Sequence, residues 1–269
     1  MHRISLKKSV FSVTVALLLV FCTCFSVCAE NTAYHWYCKR NKEHKQPTLD
    51  PNMAFIELYQ GYYIDRVHND QNPEKVLYLT FDAGYENGNV AKILDILKEE
   101  GVLACFFVLE HLITKEKDLV SRMVNEGHTV ANHTASHKDM SKVTTKEEFQ
   151  EELGKLEAVY RETIGGEMPK YFRPPEGTFS EESMHLASEL GYSTIFWSFA
   201  YADWDNKSQP SPDAAKAKIM QNLHNGEVML LHPTSATNAS ILRDVIRTCK
   251  EQGYRFGTID ELVQNQVRR

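Results

Sequence analysis

Cysteine is scarce. The chain has six, and Cys22, Cys24 and Cys28 sit in one apolar leader, which leaves Cys38, Cys105 and Cys249. An odd number without short spacing is no disulfide framework. Cys105, inside "VLACFFVL", reads as a small buried hydrophobe, and a Cys38–Cys249 bridge has little to recommend it. No basic stripe is present, which argues against a nucleic-acid partner. Repeats, heptads and low-complexity tracts are also missing, so solenoids, coiled coils and disordered chains drop out.

Only one long apolar run exists. Residues 1–29 open with Arg3, Lys7 and Lys8, continue through "VFSVTVALLLVFCTCFSVCA" and end in the small residues Val27-Cys28-Ala29. This is the pattern of a secretory signal peptide, with an uncleaved anchor as the alternative. Either places the remaining chain outside the cytoplasmic membrane, with membrane contact only if the segment is retained. The segment has three basic residues and no acid, so its loss takes the net charge from −6 to −9. An acidic balance supports solubility.

What remains is an ordinary globular composition, 42% hydrophobic and 25% charged in a chain of 269 residues. Residues 30–74 are polar and aromatic-rich, with a short helix expected in "NMAFIELYQGYY". They read as an N-terminal cover segment in which Trp36 and Tyr37 serve packing more than sugar binding. From Lys75 onward, apolar runs near 75–81, 103–109, 128–132, 170–173, 193–198, 227–232 and 254–258 have strand character. Helical spacing falls between them. Val90, Ile93, Leu94 and Leu97 form one face ahead of Gly101, and Phe149, Leu153, Leu156 and Tyr160 form another. Further helices are expected over 180–190, 213–223 and 238–252. About seven strands alternating with helices predict an α/β chain, a distorted (β/α) barrel of parallel strands with the helical cover segment in front.

Barrels of this kind carry their chemistry at the carboxyl ends of strands. Asp82, His133, Arg173, Asp203 and His232 all stand at or just past such an end. His133 and His137, four apart in "HTASH", would share one face of a helical turn and could bind one divalent metal. Arg173 precedes Pro174 and Pro175, which stiffen the loop around it. Taken singly, each has a plainer reading: a chance histidine pair, a surface arginine, a loop acid, a satisfied core histidine.

Together, the ordered motifs "TFD", "HTASH", "RPP", "DW" and "LLH" between Lys75 and Leu262 resemble the polysaccharide deacetylase, or NodB-homology, family. "TFDAGYENG", "RPPEGTFS", "FWSFAYADW" and "WYCKR" resemble its delta-lactam-biosynthetic de-N-acetylases more narrowly. The resemblance implies a catalytic domain over 75–269 that removes N-acetyl groups from amino sugars with a divalent metal, zinc or similar. It implies Asp82 as general base, paired with Arg173, and His232 as general acid, oriented by Asp203. His133 and His137 would hold the metal, the Glu176 backbone N–H would bind the oxyanion, and Trp204 and Leu230 would flank the acetyl methyl.

The chain departs from the family pattern at three places. The usual first motif has a second aspartate that binds metal; here it is Ala83, so a weakly held ion is expected. Glu176 replaces an aromatic residue, and Ala200 replaces the first aspartate of the motif around Asp203. The implied substrate is peptidoglycan glycan strands, at peptide-free N-acetylmuramic acid residues on the way to the muramic δ-lactam of spore cortex, with an amidase acting upstream. Lys138 or Lys207 is the candidate partner for the lactyl carboxylate. The alternatives are a general N-acetylglucosamine deacetylase and a non-catalytic glycan-binding barrel with a decayed metal site. A glycosidase would need a carboxylate pair, Asp82 with Asp203, and leaves the histidines unexplained.

Overall fold

The computed structural model describes residues 31–267. The segment expected to be a signal peptide or anchor, 1–29, lies outside them, and no helix among the described residues is long and apolar enough to cross a membrane. The chain forms the strands β1 (Tyr34–His35), β2 (Gly61–Tyr62), β3 (Lys75–Ala83), β4 (Cys105–Val108), β5 (Thr129–Asn132), β6 (Tyr171–Phe172), β7 (Thr178–Phe179), β8 (Ser193–Ile195), β9 (Glu227–Leu231) and β10 (Tyr254–Gly257). The helices are α1 (Val90–Glu100), α2 (Glu110–Lys115), α3 (Lys117–Asn125), α4 (Lys146–Thr163), α5 (Glu181–Glu189), α6 (Pro212–Asn222), α7 (Ala236–Glu251) and α8 (Ile259–Val267).

All seven expected strands are present. They join in one parallel sheet in the order β10-β3-β4-β5-β6-β8-β2, with β9 also on β3. The eighth member, β2, comes from the cover segment and pairs in parallel with β8. The sheet curls because the chain beyond β8 reaches β9: Ser198 N–H donates to Val228 O at 2.9 Å and Leu230 N–H to Phe199 O at 2.9 Å. The result is the distorted (β/α) barrel. The short helix expected in "NMAFIELYQGYY" is present as a 3-10 helix over Pro51–Tyr59 and stops short of the last residues of that stretch. Gln60 then turns left-handed (φ 56), and Gly61 must lack a side chain, since a Cβ there would stand 2.7 Å from Ile56 O.

Period-two alternation separates the two faces of β3. Val76 and Tyr78 point into the barrel with Phe107, Ala131, Ile195 and Val228, and Ile259 and Leu262 of α8 close that end. Leu77, Leu79, Phe81 and Ala83 face the helices, against Ile93, Leu97, Ile241 and Val245. Asp82, of inward parity, is therefore left at the open carboxyl end. The helices begin where the sequence supplies caps: Thr145 Oγ1 accepts Glu148 N–H at 3.3 Å, and Ser180 and Ser183 form a reciprocal capping box. Gly101, left-handed at φ 62, ends α1.

The cover segment packs as an aromatic cluster. Trp36 is buried, stacks on Phe196 at 4.3 Å between centroids and donates its Nε1–H to Trp197 O at 2.8 Å. Tyr37 is half exposed and donates to Asp50 at 2.6 Å. The three cysteines of the described chain are free thiols, so no Cys38–Cys249 bridge forms.

Candidate active site

Asp82 lies near the end of β3, and the Arg173 guanidinium meets it from the loop after β6. Arg173 is fully buried and engages four of its five N–H donors: Nη1 to Asp82 Oδ1 at 2.8 Å, Nη2 to Thr80 Oγ1 at 2.9 Å and Phe196 O at 3.2 Å, Nε to Ile195 O at 2.9 Å. Its plane lies over the Phe107 ring at 4.2 Å. Burial alone would raise the Asp82 pKa. The Arg173 charge and hydrogen bond, with a smaller contribution from His232, outweigh burial and hold the carboxyl below its ordinary range.

His133 follows β5 directly. Its Nδ1–H donates to Arg173 O at 2.9 Å, which fixes the tautomer and leaves the Nε2 lone pair 3.7 Å from Asp82 Oδ2. Burial pushes its pKa down to about 4, so the ring is neutral. His137 reaches it by a route the spacing did not predict. Residues 133–139 form no helix; Thr134 (φ 70) and His137 (φ 61) are both left-handed. The turn is held by Thr134 N–H on Asn132 Oδ1 at 2.8 Å and Lys138 N–H on Thr134 Oγ1 at 3.2 Å. This non-helical turn brings the two imidazoles edge to face, 5.2 Å between centroids. A β-branched residue at positive φ is costly, and strain of this sort gathers at functional turns.

His232 follows β9. Its Nδ1 is 2.7 Å from Asp203 Oδ1, and its backbone N–H donates to Asp203 Oδ2 at 2.8 Å. Burial would lower the His232 pKa, but the Asp203 hydrogen bond and charge, helped by Asp82, raise it above the ordinary histidine value. With Nδ1 engaged, Nε2 is left for the mouth. Trp204 is 61% exposed, with its ring 6.2 Å from the His232 ring. Leu230 is buried with the inward parity of Val228. The diproline loop turns through two left-handed residues, Glu176 (φ 57) and Gly177 (φ 65), and a Cβ on Gly177 would meet Trp197 at 2.7 Å. The structure thus gathers Asp82, Arg173 and His133, sets His137 on His133, ties Asp203 to His232 and places the exposed Trp204 ring beside that histidine.

Ala83 is fully buried and belongs to the apolar layer between sheet and helices. Among the described residues no group of three or more His, Cys, Asp or Glu could hold a metal ion. The donor set fits a two-imidazole attachment completed by solvent, not a closed three-ligand site. Three polar residues of this region carried no recognisable signal in the sequence. Thr80 binds Arg173 from inside β3, Asn132 pins the turn below His133, and Asn238 touches Asp203 from α7. Neutral side chains within strands and helices look like any others until their partners are known.

Comparison with known proteins agrees with this geometry. The polysaccharide deacetylase family model matches residues 69–195. The peptidoglycan-N-acetylmuramic acid deacetylase PdaA of Bacillus subtilis is 38% identical over 87% of this chain and 87% of its own. Its solved structure, described as a family 4 carbohydrate esterase, superposes with a TM-score of 0.82 at 37% identity over 88% of this chain and 99% of that one. A family 4 pseudoenzyme from Bacillus anthracis superposes with a TM-score of 0.65 at 28% identity, over 71% of this chain and 66% of that one. The chain belongs to the polysaccharide deacetylase family, the family 4 carbohydrate esterases.

Proposed function

We propose that the protein is an exported peptidoglycan deacetylase that removes the acetyl group from peptide-free N-acetylmuramic acid residues, a step toward muramic δ-lactam in spore cortex. One observation carries the catalytic part: a carboxylate paired with Arg173, its pKa lowered, and an imidazole hydrogen-bonded to Asp203, its pKa raised, share the mouth of one barrel. Amide hydrolysis needs that pair, because an amide carbonyl is a poor electrophile and an amine a poor leaving group.

Asp82 accepts the proton of a water as its oxygen bonds to the acetyl carbon. The oxyanion so formed faces the backbone N–H of Glu176. His232 then gives its proton to the sugar nitrogen as the carbon–nitrogen bond breaks, releasing acetate and a free amine. Trp204 and Leu230 flank the methyl group. His133 and His137 would hold a divalent ion such as zinc, which when bound polarises the carbonyl and acidifies the water. Family members are generally metal-dependent deacetylases, and Ala83 in place of an anionic ligand makes the hold weak here.

The muramic assignment draws on the activity for which PdaA is named. Of the two cations considered for the lactyl carboxylate, Lys138 is paired with Glu148, and Lys207 stands on the exposed loop after Trp204. Lys207 is the better candidate. The test is acetate release from glycan strands with and without peptide stems. Release confined to peptide-free strands supports the assignment, and equal release from chitin oligomers overturns it in favour of a general N-acetylglucosamine deacetylase.

The pseudoenzyme among the relatives, with Ala83, favours a second reading: a glycan-binding barrel without turnover. His232→Ala separates the two. An enzyme loses turnover and keeps its glycan affinity, whereas a binding module has no turnover to lose.

A further inference from the structure

His232 is oriented by Asp203, and Asp203 is in turn held by a residue without charge. The buried Asp203 carboxylate accepts three hydrogen bonds. Two come from His232; the third comes from Asn238 Nδ2, on Oδ2 at 2.6 Å. Asn238 is buried in the first turn of α7, where its backbone N–H is capped by Ser235 Oγ at 3.0 Å. Its Nδ2 also donates to His232 O at 3.1 Å. Both amide protons are therefore spent, one on the carboxylate and one on the backbone of the histidine that the carboxylate orients.

An asparagine amide turned half a revolution would present its oxygen to the Asp203 carboxylate, acceptor against acceptor. Tyr201 prevents that. Its buried hydroxyl contacts Asn238 Oδ1. Burial, and then the nearby Asp203 charge, raise the phenol pKa, so Tyr201 keeps its proton and donates it to Oδ1. The order of donation runs from Tyr201 to Asn238, from Asn238 to Asp203, and from His232 Nδ1 to Asp203.

We propose that Asn238 and Tyr201 are positioning residues for the proton donor: the Asn238 amide, faced by Tyr201, fixes the Asp203 carboxylate so that Oδ1 meets His232 Nδ1 and Nε2 is aimed into the mouth. This rests on His232 being the proton donor. Without the amide, Asp203 keeps its two bonds to His232 but loses the third that anchors it to α7, so the pair is held less firmly and fewer molecules hold Nε2 in line with the sugar nitrogen. Neither residue touches the glycan, so the loss falls on kcat and not on KM.

The experiment measures acetate release from peptide-free glycan strands by the full chain and four variants: His232→Ala, Asn238→Leu, Tyr201→Phe and the last two combined. Asn238→Leu is expected to lower kcat by about ten- to a hundredfold with KM within about twofold. Tyr201→Phe is expected to lower kcat by about three- to tenfold alone and by nothing further beside Asn238→Leu, because it acts only through that amide. Additive losses, an unchanged kcat in Asn238→Leu, or a change in KM alone overturns the proposal. Should Asn238→Leu not fold, Tyr201→Phe, which removes one oxygen, decides the matter alone, with an unchanged kcat as the overturning result. Turnover that survives His232→Ala overturns both this proposal and the catalytic reading beneath it. Turnover lost in His232→Ala but intact in Asn238→Leu overturns this one alone.

Discussion

The Arg173 guanidinium, without exposed surface, sits 2.8 Å from a carboxylate of Asp82 that is itself only 11% exposed. Such a pair contributes little net stability when intact, since desolvation offsets much of the attraction, but it is costly to break. Arg173→Met would leave the largely buried Asp82 without its hydrogen-bonded cation, and destabilisation of about 3–5 kcal/mol is expected. Arg173→Lys should not rescue it, because one ammonium cannot reach Asp82, Thr80, Ile195 and Phe196 together. Denaturant unfolding of the two variants beside the parent checks this; a lysine variant as stable as the parent would show that the fork geometry is dispensable.

Activity should follow a bell-shaped pH profile whose limbs belong to Asp82 and His232. The Asp82 pKa is lowered in the folded chain, so its contribution to stability is present above the ordinary carboxylate value and is lost as pH falls through the lowered one. The His232 pKa is raised, so its contribution is complete below the ordinary histidine value and is lost as pH rises through the raised one. The acid must also be protonated to donate, so the basic limb of kcat lies above the pH at which free histidine titrates. Asp203→Asn removes the charge that overcomes burial, and the basic limb should move to lower pH. A limb that stays in place would assign it to another group.

Much of this was legible in the sequence because it depends on periodicity and strand ends. Asp82 inherits its inward direction from the alternation of β3, and His232 its place from the end of the apolar run of β9. The misreading of His133 and His137 is instructive. A spacing of four fits a helical turn, yet the same proximity arises from a loop with two left-handed residues that no spacing rule anticipates. The helices α2 and α3 follow β4 without a turn signal between strand and helix, and β2 has two residues, too few for a pattern. Thr80, Tyr201 and Asn238 were hidden for another reason: their roles lie wholly in their partners, and chain position says nothing of partners.

Ala83 sets the expectation for metal. Zinc titrated into metal-stripped protein should bind weakly and exchange readily, two imidazoles being short of a structural set. Ala83→Asp adds a carboxylate beside the site, but at a position now packed into the apolar layer. The stripped variant should therefore unfold more easily than the parent, by about 1–3 kcal/mol for a buried polar group without a partner. Zinc should restore more stability to the variant than to the parent, because only binding satisfies the new carboxylate. Thermal midpoints of both proteins with and without zinc measure the effect, and equal zinc shifts would show that residue 83 cannot reach the ion.

Glu227 and His224 look like an ion pair, with Nδ1 3.2 Å from Oε2, but their surroundings say otherwise. His224 Nδ1 also lies 2.8 Å from Asn222 O, a carbonyl that can only accept, so the Nδ1 proton points there. Ser198 Oγ accepts Val228 N–H at 3.0 Å and gives its own proton to His224 Nε2 at 2.9 Å, so the ring is neutral; burial accordingly lowers its pKa to about 4. Glu227 is fully buried, its Oε1 has no hydrogen-bond partner, and burial raises its pKa well above the ordinary value. Burial thus favours its neutral form in the folded chain. When the chain unfolds above the ordinary glutamate pKa of about 4.3, the acid releases its proton. The folded state is therefore progressively disfavoured as pH rises from there toward the raised value. Glu227→Gln keeps the shape and cannot ionise. Near neutral pH it should raise the thermal midpoint by roughly 2–4 °C, as about 1 kcal/mol does for a domain of this size. The gain should vanish below about pH 4, where unfolded glutamate keeps its proton too. Thermal unfolding of the two proteins across this range measures it. If Glu227 and His224 are instead both charged, the glutamine variant will be the less stable at neutral pH.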